Sequence, residues 1–116
     1  MLIAPFAASA TILFGFNQVP AARPKNFVFG HLISSVVGLV MMSFFPGSWI
    51  AACVAAGLSI AMMLFTDTGH PPAAGDPILI WASQASWSFL AVPILPAIVL
   101  LLGLNWLYLR ATRPTH

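Results

Sequence analysis

Three apolar runs along the chain are long enough to cross a bilayer: Phe27–Phe45, Trp49–Thr66 and Trp87–Leu109, with 19, 18 and 23 residues. At a helical rise of about 1.5 Å per residue they reach roughly 27–35 Å, against a hydrocarbon core of about 30 Å. Two shorter apolar stretches, Ala10–Gln18 and Pro77–Ala85, cover only about 14 Å each and predict half-helices. Each is preceded by a proline-bearing lead-in, Pro5–Ser9 and His70–Asp76. The consecutive prolines Pro71 and Pro72 predict an extended path that ends where Asp76, a favoured cap, and Pro77, a favoured first helical residue, open the second half-helix. Ser9 is the nearest capping residue for the first.

The two short segments resemble each other. Pro5-Phe6-Ala7-Ala8-Ser9-Ala10-Thr11-Ile12-Leu13-Phe14 aligns with Pro71-Pro72-Ala73-Ala74-Gly75-Asp76-Pro77-Ile78-Leu79-Ile80 at an offset of 66, matching at Pro, Ala, Ala, Ile and Leu. The same offset carries Phe27–Phe45 onto Pro93–Ala111, so each short segment precedes a full span. This divides the chain into a shortened first repeat, residues 1–48, and a second repeat, residues 49–116. Trp49–Thr66 has no counterpart before the first short segment, which predicts a six-segment plan lacking its first helix.

Composition places these elements in lipid. Apolar residues make up 60% of the chain and charged residues 5%, and the mean hydropathy is +0.99, whereas soluble domains carry about 25% charged residues. The net charge of +2 rests on six charges, with Arg23 near Lys25 and Arg110 near Arg113 and no interleaved aromatics, so no nucleic-acid partner is expected. The lone Cys53 excludes a disulfide framework and a thiolate metal cluster. No Lys or Arg precedes Ala7-Ala8-Ser9-Ala10, so this stretch is expected to be retained rather than cleaved as a signal peptide.

Lys and Arg in short loops favour the cytoplasmic side. If both short segments cross, all four cations fall on that side, the C-terminus is cytoplasmic and the repeat is inverted in topology. Trp49 and Trp87 then lie at the outer interface, with Trp106 and Tyr108 at the inner one. Gly30, Ser34 and Gly38 form one stripe of small residues, and Cys53, Gly57 and Ala61 form another, so the two spans are expected to pack stripe to stripe. Pro93 and Pro96 are expected to kink the last span.

The residues of the lead-ins and loops resemble the HPP family of integral membrane proteins, named for its His-Pro-Pro motif. The likeness runs through Pro5–Ala10, the Arg23-Pro24-Lys25-Asn26 loop, Gly30-His31 and Thr66–Pro77. Departures from the family pattern are Ala7, Lys25 and Ala74-Gly75. The resemblance implies nitrite transport across a membrane, here expected to be the cell inner (plasma) membrane.

Independently, two half-helices entering from opposite faces would start near the midplane and converge their unpaired N–H groups, a setting for a small inorganic anion. The expected anion-binding residues are Ala7, Ala8, Ser9 and Ala10 with Ala73, Ala74, Gly75 and Asp76, where Asp76 caps its helix or handles protons. His31 and His70, with Arg23 and Lys25, are expected to line an inner vestibule that guides anions or relays protons. No metal or other cofactor is expected, since Asp67 with His31 and His70 makes a thin ligand set. His116 is expected to be solvated. With no Ser-His-Asp arrangement or phosphate loop legible, an enzyme is not expected; the missing first helix suggests a homo-oligomer. The alternative is a noncatalytic subunit packed against a larger partner.

Overall fold

The computed structural model describes residues 4–112, and these form helices and turns with no strand among them. Arg113 and His116 lie outside the described residues. The first helix, α1 (Ala4–Ala10), continues as a π-type helix over Thr11–Gly15, and a short 3₁₀ turn at Pro20–Ala22 leads into α2 (Pro24–Phe44). Pro24 stands in the first turn of α2, where a missing N–H costs no helical bond. Gly47, at φ +76, turns the chain back, and the Ala51 N–H donates to the Ser48 hydroxyl at 3.1 Å to cap α3 (Trp49–Phe65). A 3₁₀ turn at Pro71–Gly75 feeds α4 (Asp76–Ser83), and another at Trp87–Leu90 precedes α5 (Ile94–Thr112).

By length and apolar composition, α2 and the stretch Trp87–Thr112 are the two segments among the described residues able to cross a membrane. The third, α3, has 17 residues, the lower limit of the spanning range of about 17–25.

The directions of the short helices follow from their contacts. Gly30 lies against His70 and Gly38 against Pro77, while the Trp81 indole donates to the Gly47 carbonyl at 3.2 Å, so α4 runs alongside and parallel to α2. Pro5 packs on Gly75 at the start of α4, and Phe14 meets Tyr108 near the end of α5 edge to face at 5.3 Å. The starts of α1 and α4 therefore meet, and the two helices lead toward opposite ends of the molecule. Phe14 leads into the Pro20–Ala22 turn ahead of Arg23, and Lys25 pairs with Asp67 at 3.7 Å, so α3 ends where α2 begins.

Several expectations about these elements are corrected. The first short helix begins at Ala4, not Ala10. Pro5 fits a first turn, and Ala7, Ala8 and Ala10 favour helix strongly. Pro71 and Pro72 are in a 3₁₀ turn rather than an extended run, again as its first two residues, where no N–H is required. The last segment is broken rather than kinked, because α5 starts at Ile94, just after Pro93 and with Pro96 in its first turn.

Nor do the two small-residue stripes face each other. Gly30 and Gly38 receive His70, Pro77 and Ile80, whereas Cys53, Gly57 and Ala61 point outward and α3 packs through Ala52, Ala55, Ser59 and Met63. A lipid surface explains the rest of the exterior: Phe44, Phe65, Val92, Val99 and Leu100 are all exposed.

Candidate functional site

Four polar side chains from four segments meet in the interior. Ser9 of α1, His31 of α2, His70 ahead of the 3₁₀ turn and Asp76 of α4 are each fully buried. In α1 and its π-type continuation the buried residues Pro5, Phe6, Ser9 and Leu13 face inward, which carries Ser9 into the interior. In α2 the spacing i, i+3, i+4 puts His31, Ser34 and Ser35 on one face toward α4. Gly30 allows His70 to approach, since a Cβ there would lie 2.8 Å from the His70 Cβ.

The contacts form a linear chain. The Ser9 Oγ is 2.7 Å from the Nε2 of both His31 and His70. Nδ1 of His31 is 2.7 Å from the Asp76 Oδ2, and Nδ1 of His70 is 2.7 Å from the Ala21 carbonyl oxygen. The hydroxyls of Ser34 and Ser35 donate to the same Asp76 oxygen at 3.0 and 3.1 Å, leaving Oδ1 buried and without a protein partner. The Ser9 hydroxyl also lies within donating reach of the Pro5 carbonyl, at 3.1 Å. Aromatic rings wall the chain: Phe6 stacks on His31 at 4.1 Å and 12°, and Phe27 meets both imidazoles edge to face at 5.2 and 5.3 Å.

This geometry changes the assignments. Asp76 has helical backbone angles and bonds to α2 rather than capping α4. The Asp76 N–H donates to the Ala73 carbonyl and the Ala73 N–H to that of His70, so the start of α4 does not present the free donors expected for an anion. Ala7 and Ala8 are exposed on the far face of α1; Ala10, Ala74 and Gly75 are half-buried, and Ala73 is buried. His31 and His70 are brought together as expected, 5.2 Å between ring centres, both buried, with His70 at the wall of a cavity of about 170 Å³. Arg23 and Lys25 are exposed and apart from them, and Asp67 pairs with Lys25, not with the histidines.

A Ser-His-Asp sequence of bonds does exist, in Ser9, His31 and Asp76, although no spacing in the sequence marks it. The Ser9 hydroxyl is fully buried among two imidazoles and the Pro5 carbonyl. In the sequence Ser34 reads as a packing residue of the small-residue stripe, and Ser35 and Phe6 carry no assigned role. The signal that could have found the serines is their i+3 and i+4 offset from His31.

Against known proteins, the family model of the HPP transmembrane region matches residues 1–116. The chain belongs to the HPP transmembrane family. Among curated proteins it is similar to a transmembrane protein of Dictyostelium discoideum, 36% identical over 110 residues, covering 88% of this chain and 39% of that protein. A second transmembrane protein of the same organism is 31% identical over 101 residues, covering 80% of this chain and 32% of its own length. The HPP chain thus spans between about a third and two-fifths of these relatives. No solved structure matches it.

Proposed function

We propose that this HPP protein moves a small inorganic anion, nitrite or one of like chemistry, across the membrane. The observation that carries the reading is the buried Ser9–His31–His70–Asp76 chain in a protein with 5% charged residues. Ionisable groups at membrane depth are costly to bury and mark ion or proton paths. Here two imidazoles stand against one carboxylate, so the group can carry a net positive charge suited to an anion. A cavity of about 170 Å³ beside Ile60, Met63, Leu64 and Ala74 reaches His70 and offers an approach.

In this reading α1 and α4 are half-helices of an inverted repeat that start together near the midplane, with α2, α3 and α5 as full spans. Arg23, Lys25 and the C-terminal end of α5 face the cytoplasm, and copies associate in the plasma membrane. Saturable nitrite uptake into vesicles holding the purified chain, above that of protein-free vesicles, is the expected result. Uptake no greater than in protein-free vesicles refutes it. The second reading, a membrane subunit of a larger assembly, is favoured by the outward small-residue stripe of α3 and predicts uptake only when a partner is supplied.

A further inference from the structure

The bonding of the four buried groups restricts how many protons they can hold. The Ala21 carbonyl can only accept, so the Nδ1 of His70 carries a hydrogen, and a carboxylate at Asp76 requires one on the Nδ1 of His31. With both imidazoles neutral, each Nε2 is then a bare lone pair 2.7 Å from the Ser9 Oγ, which has one hydrogen to offer. One of the two contacts would set lone pair against lone pair. Reversing either tautomer only moves the conflict to Ala21 or Asp76. A carboxylate with two neutral imidazoles therefore cannot satisfy this geometry.

One additional proton removes the conflict. With His31 as imidazolium, its Nε2–H donates to Ser9 and the Ser9 hydroxyl donates to the Nε2 of His70, so every bond is made and the cluster is neutral. The Asp76 carboxylate beside His31 and the face of Phe6 stacked on its ring favour the charge there over His70. A second added proton is also accommodated: both Nε2–H groups donate to Ser9, whose hydroxyl turns to the Pro5 carbonyl at 3.1 Å. That state carries one net positive charge, which is costly in a dry interior unless an anion sits nearby.

We propose that Asp76, His31, Ser9 and His70 form one proton-holding chain that carries a single added proton at rest and takes a second, onto His70, when a monovalent anion binds. The proton comes from water on the side from which the anion enters, one per anion, so the transported pair is electrically neutral. No other titratable group among the described residues faces the chain. The interior faces of α1, α3 and α5 are uncharged, Arg23 is exposed, and Lys25 pairs with Asp67 at the surface. The coupling, though not the resting proton count, rests on the transport reading above.

Nitrogen NMR of the full chain labelled with ¹⁵N-histidine, in micelles near neutral pH, reads the resting count directly. One imidazolium and one neutral ring with a bare Nε2 are expected, and two neutral rings that both have a bare Nε2 would overturn the proposal whatever is transported. Nitrite-driven acidification inside vesicles, corrected for protein-free vesicles, should match nitrite uptake one to one and be insensitive to membrane potential. Saturable uptake that is electrogenic and proton-free would overturn the coupling while leaving transport intact. No protein-dependent uptake would refute the transport reading instead, with the NMR count still deciding the resting state. Ser9→Ala should lose the pH-driven component and Ser9→Thr should restore it; retention of that component by a folded Ser9→Ala protein would overturn the role of the hydroxyl.

Discussion

The contact between Gly30 and His70 offers a sharp test of how α2 seats the buried chain. In Gly30→Ala the added methyl would lie 2.8 Å from the His70 Cβ, 3.3 Å from the Met63 sulfur and 3.3 Å from the Thr68 carbonyl oxygen. Relaxing 2.8 Å to an ordinary 3.4 Å contact moves His70 by about 0.6 Å. Overpacking of this kind costs about 1–3 kcal/mol. The same displacement stretches the 2.7 Å Ser9–His70 bond beyond good geometry, a further loss of about 1 kcal/mol. Alanine returns up to about 1 kcal/mol through helix propensity, so the net destabilisation is about 1–3 kcal/mol. Gly57→Ala on α3 is the matched control, since its methyl meets nothing and propensity alone should stabilise by up to about 1 kcal/mol. Equilibrium unfolding in mixed micelles compares the two. Equal shifts of the same sign would refute the close approach of α2 to the His70 turn.

Ser34→Ala and Ser35→Ala each remove one donor to Asp76 and should each cost about 1–3 kcal/mol in the same unfolding assay. Gln84 ends α4 at φ 52, ψ 44, so Gln84→Gly should stabilise by about 1 kcal/mol. Asp67→Asn breaks an exposed pair with Lys25 and should change stability by less than about 1 kcal/mol. Single cysteines at Lys25 and Thr112, placed in a Cys53→Ala background, should label from the cytoplasmic face and one at the exposed Pro46 from the other. Labelling of Lys25→Cys and Thr112→Cys from opposite faces would defeat the inverted repeat.

Membrane residence, the positions of α2 and α3 and the presence of two short helices were legible in the sequence because each depends on local content: the length of an apolar run and the prolines and small polar residues at its ends. The start of α4 at Asp76 and Pro77 is of this kind, whereas α2 begins at Pro24, inside a stretch that reads as a loop. Exact starts were less legible, since Pro5 and Pro71 are compatible both with ending an extended run and with opening a helical turn.

The candidate site was legible as residue types and not as a constellation. His31, His70, Asp76 and Ser9 stood out because polar groups are rare in this chain, yet their bonds join residues up to 61 positions apart, from Ser9 to His70. Which stripe of small residues faces inward was likewise settled by tertiary packing: Gly30 and Gly38 are needed where His70 and Pro77 come close, while Gly57 meets nothing. Sequence periodicity identifies the faces of a helix, but two faces of similar size and polarity are equivalent until a neighbour is placed against one of them. In lipid no hydrophobic difference between them breaks that tie.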